Sequence, residues 1–379
     1  MALFLRMQTI NLSTRLLICL PTRRIFYSKS SFMDKKIVTF GEILLRLSKP
    51  GCLRLSQGSS LSANYGGSEA NVAISLACLG DNVAYVTRVP DNAMGKAALM
   101  HLQQFGLDTR HIVKGGDRLG AYYFESAAAM RNPVVVYDRN DSSFCPLRNG
   151  DIEWEDIFSG ASLFHCSGIT CSVSQEALDT TMQAVRLADA MGIEVTCDIN
   201  YRKNLWRYEG ANAHDSLHKL MEYSGFIFGD QNEWEVASGL KHIPFRALDS
   251  SYIIDKKAYE AYFKELKKQF PRCRRMLIAL RNQITSAHHT LTGVLYADDK
   301  LYTTRIYDIQ PIIDPMGVGD AFVAAFIHAR RRWADDDQRC LDFALAASAI
   351  KNTIPGDQNL VTEEEIIANM GNATGRIER

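Results

Sequence analysis

Asp314-Pro315-Met316-Gly317-Val318-Gly319-Asp320 runs directly into Ala321-Phe322-Val323-Ala324-Ala325-Phe326-Ile327. The second half is almost wholly apolar, which predicts a helix buried on most of its surface and starting at the glycines. A helix N-terminus offers unpaired backbone N–H groups and the positive end of its dipole, so it suits an anion. Two glycines without Cβ atoms let that anion approach the backbone closely. Asp320 stands beside this point, placed to take a proton from an attacking hydroxyl. Taken alone, the pattern equally describes a glycine turn with an aspartate in the first turn of a helix.

About 250 residues upstream lies Asn64-Tyr65-Gly66-Gly67-Ser68-Glu69-Ala70-Asn71-Val72-Ala73, leading into an apolar helical run that closes at Gly80. The small residues predict close packing, and Gly66-Gly67 would let a polar substrate lie against bare backbone. A simple hinge accounts for the glycines but not for polar Asn71 inside an apolar helix. Around these segments the chain alternates strands and helices. Strand candidates are Ile37–Phe40, Val83–Val89, Ser162–Cys166, Glu194–Ile199, Gly225–Phe228 and Met276–Leu280, with a helix over Gln175–Met191 closed by Gly192. That alternation predicts an α/β fold: a mostly parallel sheet between two helical layers, α/β/α. Residues about 43–65 and 119–140 break the rhythm. Tyr122-Tyr123-Phe124 and Val134–Tyr137 read as strands of a small separate β-sheet lid.

Composition narrows the function. Of 379 residues, 46% are hydrophobic and 23% charged, which excludes a disordered or fibrous chain. Basic and acidic side chains balance at 43 each, removing the electrostatic case for nucleic acid. No apolar run approaches the ~20 residues that span a bilayer, so neither nucleic acid nor membrane is an expected partner. The nine cysteines are scattered and form no CxxC pair, which suits reduced thiols better than zinc or disulfides. Residues 1–32 carry five Lys or Arg and no carboxylate, reading as an organellar transit segment or as a dispensable extension before a start at Met33. The expected organisation is 1–32 extension, 33–370 catalytic domain and 371–379 tail; a cytoplasmic location is expected, or an organellar one if the leader is genuine.

The two glycine segments, in this order and at this separation, resemble the two signatures of PfkB-type (ribokinase-like) sugar kinases. Gly66-Gly67…Asn71 resembles the family's sugar-binding segment, and Gly317–Asp320 its anion hole and catalytic base. Pro315 and Val318 depart from the usual Thr and Ala, and neither removes a backbone donor from the Gly317–Asp320 turn. The resemblance implies ATP and Mg²⁺ as cofactors, Asp320 as general base, and Gly317, Val318 and Gly319 as the amides facing the transferred phosphoryl group. Asn232…Glu235 resembles the element that organises Mg²⁺ through water, although the same spacing is that of a helix capping box. The nucleotide stretch Leu280–Gly293 keeps only Gly293 plainly, and His288-His289 reads as part of a loop. A homodimer or higher oligomer, paired through the lids, is also implied.

Within the family, Asp198-Ile199-Asn200-Tyr201-Arg202-Lys203-Asn204-Leu205-Trp206, Val136-Tyr137-Asp138-Arg139 and Gly120-Ala121-Tyr122 resemble segments of 2-keto-3-deoxygluconate kinases. The resemblance gives Tyr122, Tyr137, Arg139 and Arg202 to the substrate. Guanidinium forks suit a sugar carboxylate, whereas a neutral hexose asks for acceptors such as Asp. Arg46, where neutral-sugar relatives often carry Asp, points the same way. Arg139 or Arg202 taken alone reads better as a surface or ion-pair residue; it is the two together, in the family's pattern, that point to the substrate. The expected reaction is ATP-dependent formation of a sugar-acid 6-phosphate. A kinase for fructose or a nucleoside, or a non-catalytic binding protein on the same fold, remain the alternatives.

Overall fold

The computed structural model describes residues 35–371. The 1–32 extension and nearly all of the expected tail lie outside the described residues. Nine strands form the main sheet. Its order is Lys300–Thr303, His288–Ala297, Arg275–Thr285, Phe226–Gly229, Glu194–Asp198, Ala161–Ser167, Lys36–Phe40 and Val83–Val86, with Tyr307–Ile309 also beside His288–Ala297. From Arg275–Thr285 through Val83–Val86 every pairing is parallel; the remaining strands pair antiparallel.

A parallel sheet is buried on both faces, which explains why its central strands read as near-continuous apolar runs. One face packs against the helices Ser68–Cys78, Val318–Arg332 and Asp337–Lys351. The other carries Gln175–Ala190, Gln231–Ser238 and Lys256–Gln269. In Val318–Arg332 every residue from Asp320 to Ala329 is buried, as its composition predicts. Gly192 follows Gln175–Ala190 with φ 71°, the left-handed conformation that glycine adopts without strain.

The expected lid is present as a four-stranded sheet, in the order Ser62–Gly66, Leu44–Ser48, Ala121–Glu125 and Val134–Asp138. Leu44, Tyr122 and Phe124 form its own small core. No helix among the described residues is long and apolar enough to cross a membrane. Eight cysteines lie in the described residues, all free, and five are buried.

The nucleotide stretch departs from expectation. His288 and His289 open the strand His288–Ala297 rather than lying in a loop, pairing opposite Thr285 and Gln283. Gly293 sits inside the sheet opposite Ala279, and a Cβ there would meet Leu341 Cδ1 at 3.2 Å and Phe322 Cε2 at 3.6 Å. Leu291, Gly293 and Leu295 share one face of a period-two strand, and that face packs under helices. The missing Cβ of Gly293 is thus accounted for by packing against Leu341 and Phe322.

Candidate active site

Asp320 occupies the first turn of the buried helix, and its carboxylate accepts from Ser68 Oγ at 2.9 Å and Asn71 Nδ2 at 2.7 Å. Ser68 Oγ accepts in turn from Asn200 Nδ2 at 2.7 Å. Burial pushes Asp320 up to about 6, against the opposing pull of Asn71 and Ser68. A carboxylate so poised is still ionised at neutral pH, yet takes a proton readily. The Asn71 amide is thus directed at Asp320, while its Oδ1 is buried without a partner.

The glycines make this convergence possible. Gly317 caps the helix at φ 74°, and a Cβ on it would overlap the Asp357 carbonyl oxygen at 1.8 Å. A Cβ on Gly66 would strike Asp357 Oδ2 at 2.1 Å, and one on Gly67 the Glu42 carbonyl oxygen at 2.2 Å. Gly319, in contrast, faces open space. The helix N-cap, Gly317, supplies no side-chain cap to the N–H groups of the first turn, in which Asp320 stands.

One cleft is lined by Gly67, Asn71, Tyr122, Tyr137, Arg139, Arg202, Gly317 and Asp320 together with Glu42, Ser68, Glu69, Asn200 and Asp357. Arg139 Nε donates to Glu42 Oε2 at 2.8 Å, and Ser142 Oγ also donates to that carboxylate. The Arg139 Nη1 donor is buried without a partner, as is Asn200 Oδ1. Arg202 bonds Glu233 Oε1 at 2.9 Å and keeps a half-exposed side chain. Tyr122 donates its hydroxyl to Asp357 Oδ2 and lies beside Tyr137. Glu69, fully enclosed, accepts from Ser167 and Thr170 at 2.7 Å each, and burial pushes it up to about 7.

Three expectations change. Arg46 does not line the cleft; it is buried between Asp314 (2.7 Å) and Asp357 (2.5 Å). Asn232 is exposed, and Glu235 is 43% exposed and bonded to His242, so the structure does not bring this pair to the site. The capping box is Asp230 with Glu233, two positions earlier, because Asp230 directly follows the strand Phe226–Gly229 and caps the helix Gln231–Ser238. The carboxylates that gather at this sheet end are Asp198, Asp230 and Glu233. Asp198 is pushed well up by burial and by the charges of Glu233 and Asp320; Glu233 is raised by burial and by Asp230. Sequence reasoning passed over Glu42, Ser68, Asn200, Glu233 and Asp357 as site residues. Ser68, Asn200 and Glu233 lie inside segments already singled out and Glu42 just past the first strand candidate; Asp357 carries no local signal beyond the Pro355-Gly356-Asp357 turn.

Residues 34–364 match the model of the pfkB family carbohydrate kinases. The solved 2-dehydro-3-deoxygluconokinase of Thermotoga maritima is 34% identical at a TM-score of 0.82, over 89% of this chain and 99% of that one. A PfkB family carbohydrate kinase of Listeria grayi is 33% identical at a TM-score of 0.80, over 89% of this chain and 100% of that one. The 2-dehydro-3-deoxygalactonokinase of Haloferax volcanii is 27% identical over 334 residues, 88% of this chain and 96% of the relative.

Proposed function

The chain belongs to the pfkB family of carbohydrate kinases, and we propose that its acceptor is a 2-keto-3-deoxy sugar acid, phosphorylated on its terminal hydroxyl from ATP. The observation that carries the substrate class is the buried, unpartnered Nη1 of Arg139, in the same cleft as the unpartnered Oδ1 atoms of Asn71 and Asn200. An orphaned guanidinium donor suits a carboxylate, and the orphaned acceptors suit sugar hydroxyls. Arg202, at the half-exposed side of the cleft, supplies the second charge. The names of the Thermotoga maritima and Haloferax volcanii relatives support the same substrate class.

In this reading Asp320 accepts the proton of the attacking hydroxyl, held in orientation by Ser68 and Asn71. The N–H groups at Gly317, Val318 and Gly319 face the phosphoryl oxygens as charge develops there. Mg²⁺ would be held on the nucleotide phosphates through water near the Asp230–Glu233 end of the sheet and would neutralise their charge; among the described residues no three carboxylates converge as a ready-made metal site. Hydrated Mg²⁺ shared with phosphates needs only one or two carboxylates. Homodimerisation through the lid belongs to the same reading. The edge strand Val134–Asp138 exposes Val134, Val135 and Val136 in a row, an open edge that a second lid would cover.

ATP consumption measured with a panel of keto-deoxy sugar acids, ketohexoses and nucleosides tests the substrate. The sugar acids should give the highest kcat/KM. Fructose outperforming them would overturn the sugar-acid assignment and leave the kinase standing.

A further inference from the structure

Arg46 stands on the lid strand Leu44–Ser48, yet its guanidinium reaches out of the lid into the α/β core. Nη2 donates to Asp314 Oδ2 at 2.7 Å and Nη1 to Asp357 Oδ1 at 2.5 Å, with the guanidinium 4.5 Å from the centre of the Phe124 ring. Both aspartates belong to segments that shape the phosphoryl end of the site. Asp314 accepts the backbone N–H of Met316 at 3.0 Å and that of Gly356 at 2.9 Å, so it ties the turn before Gly317 to the loop carrying Asp357. The Asp357 carbonyl, in turn, occupies the space that a Cβ on Gly317 would need. One planar fork therefore joins a lid strand to both walls of the helix start, and a lysine would keep the charge but lose the fixed spacing that holds the two carboxylates apart.

We propose that Arg46 is a positioning residue: it locks the lid to the turn that forms the anion hole, so that lid placement and phosphoryl-group placement are set together and the sugar, not water, receives the phosphoryl group. An ion pair that merely stabilised the fold would instead scale every activity by the folded fraction. The inference rests on phosphoryl transfer at Asp320 and is independent of which sugar is the acceptor.

The test uses the full chain with ATP, Mg²⁺ and whichever sugar the wild type phosphorylates best. It compares sugar phosphate formed with inorganic phosphate released in Arg46→Lys and in the shape-conserving Asp314→Asn. This ratio does not depend on how much of the protein is folded. We expect it to fall by about tenfold or more in both variants, the factor that one charge-assisted hydrogen bond carries, with kcat reduced and KM for ATP near the wild-type value. A wild-type ratio in both variants, even at reduced rate, would overturn the proposal in favour of a structural ion pair, and so would failure of both variants to fold. No turnover by the wild type on any sugar would sink the kinase mechanism beneath it, a separate outcome.

Discussion

Asp320 carries the sharpest expectations at the residue scale. Asn keeps the shape and one of the two accepted hydrogen bonds but cannot accept a proton, so Asp320→Asn should bind sugar nearly normally while kcat falls by about 10²–10⁴-fold. In the wild type, kcat/KM should decline below about pH 6 as the base takes up a proton. Stability should respond in the opposite sense. A carboxyl whose folded value lies above its unfolded one favours the native state most at low pH, and that contribution is lost as pH rises through about 6. Asp320→Asn should therefore exceed wild-type stability at pH 8 by about 1–3 kcal/mol and match it near pH 4, as denaturant titrations at the two pH values would reveal. A wild-type advantage at pH 8 would contradict this.

The two arginines separate on burial. Arg139→Leu and Arg202→Leu should each raise KM for a sugar acid by roughly ten- to a hundredfold and leave KM for ATP little changed. Each substitution strands a carboxylate, Glu42 for Arg139 and Glu233 for Arg202. The Arg139–Glu42 pair is enclosed on both sides, whereas Arg202 is half-exposed and Glu233 keeps the Asp230 N–H. Arg139→Leu should therefore cost the more stability, about 3–5 kcal/mol. Arg202→Leu should lose affinity with the smaller loss of melting temperature. Equal melting temperatures for the two variants would argue against that distinction.

At the scale of elements, the decisive unit is the start of the helix Val318–Arg332. Gly317 combines a left-handed φ of 74° with contact against the Asp357 carbonyl, so alanine there meets both backbone strain and a clash. Gly317→Ala should lower kcat by at least an order of magnitude, the scale of losing one anion-hole donor, and lower the melting temperature as well. Gly319→Ala faces open space and should melt close to wild type, a contrast calorimetry can read. The elements themselves were largely legible: the six strand candidates, the helix closed by Gly192 and the lid segments all reappear within a few residues. The hairpin Arg275–Thr285/His288–Ala297 was not, because Leu280–Gly293 is rich in polar residues that resemble a loop locally. It is antiparallel pairing across the sheet that makes strands of them.

For the whole molecule, the lid edge is the feature with a consequence in solution. If two lids pair through Val134–Asp138, replacing exposed Val136 by Lys should shift the protein toward monomer in analytical ultracentrifugation, since an edge lysine opposes strand pairing. A wild type already monomeric at micromolar concentration would remove the lid dimer from the reading.

Local pattern alone determined the α/β class, the small separate sheet, and the two glycine segments with Asp320 and Asn71. Periodicity, glycine placement and apolar runs are properties of neighbouring residues, and they survive without knowledge of the rest of the chain. Tertiary structure decided the partners. Asp357 meets Tyr122 across 235 positions and Arg46 across 311, and no local pattern encodes such a meeting. It likewise turned Arg46 from a supposed mark of the substrate into an internal tie, and moved the capping carboxylate from Glu235 to Glu233. The physical reason is common to all of these. A charged side chain takes its role from whichever opposite charge shares its desolvated pocket, and only the folded chain determines which charges share one.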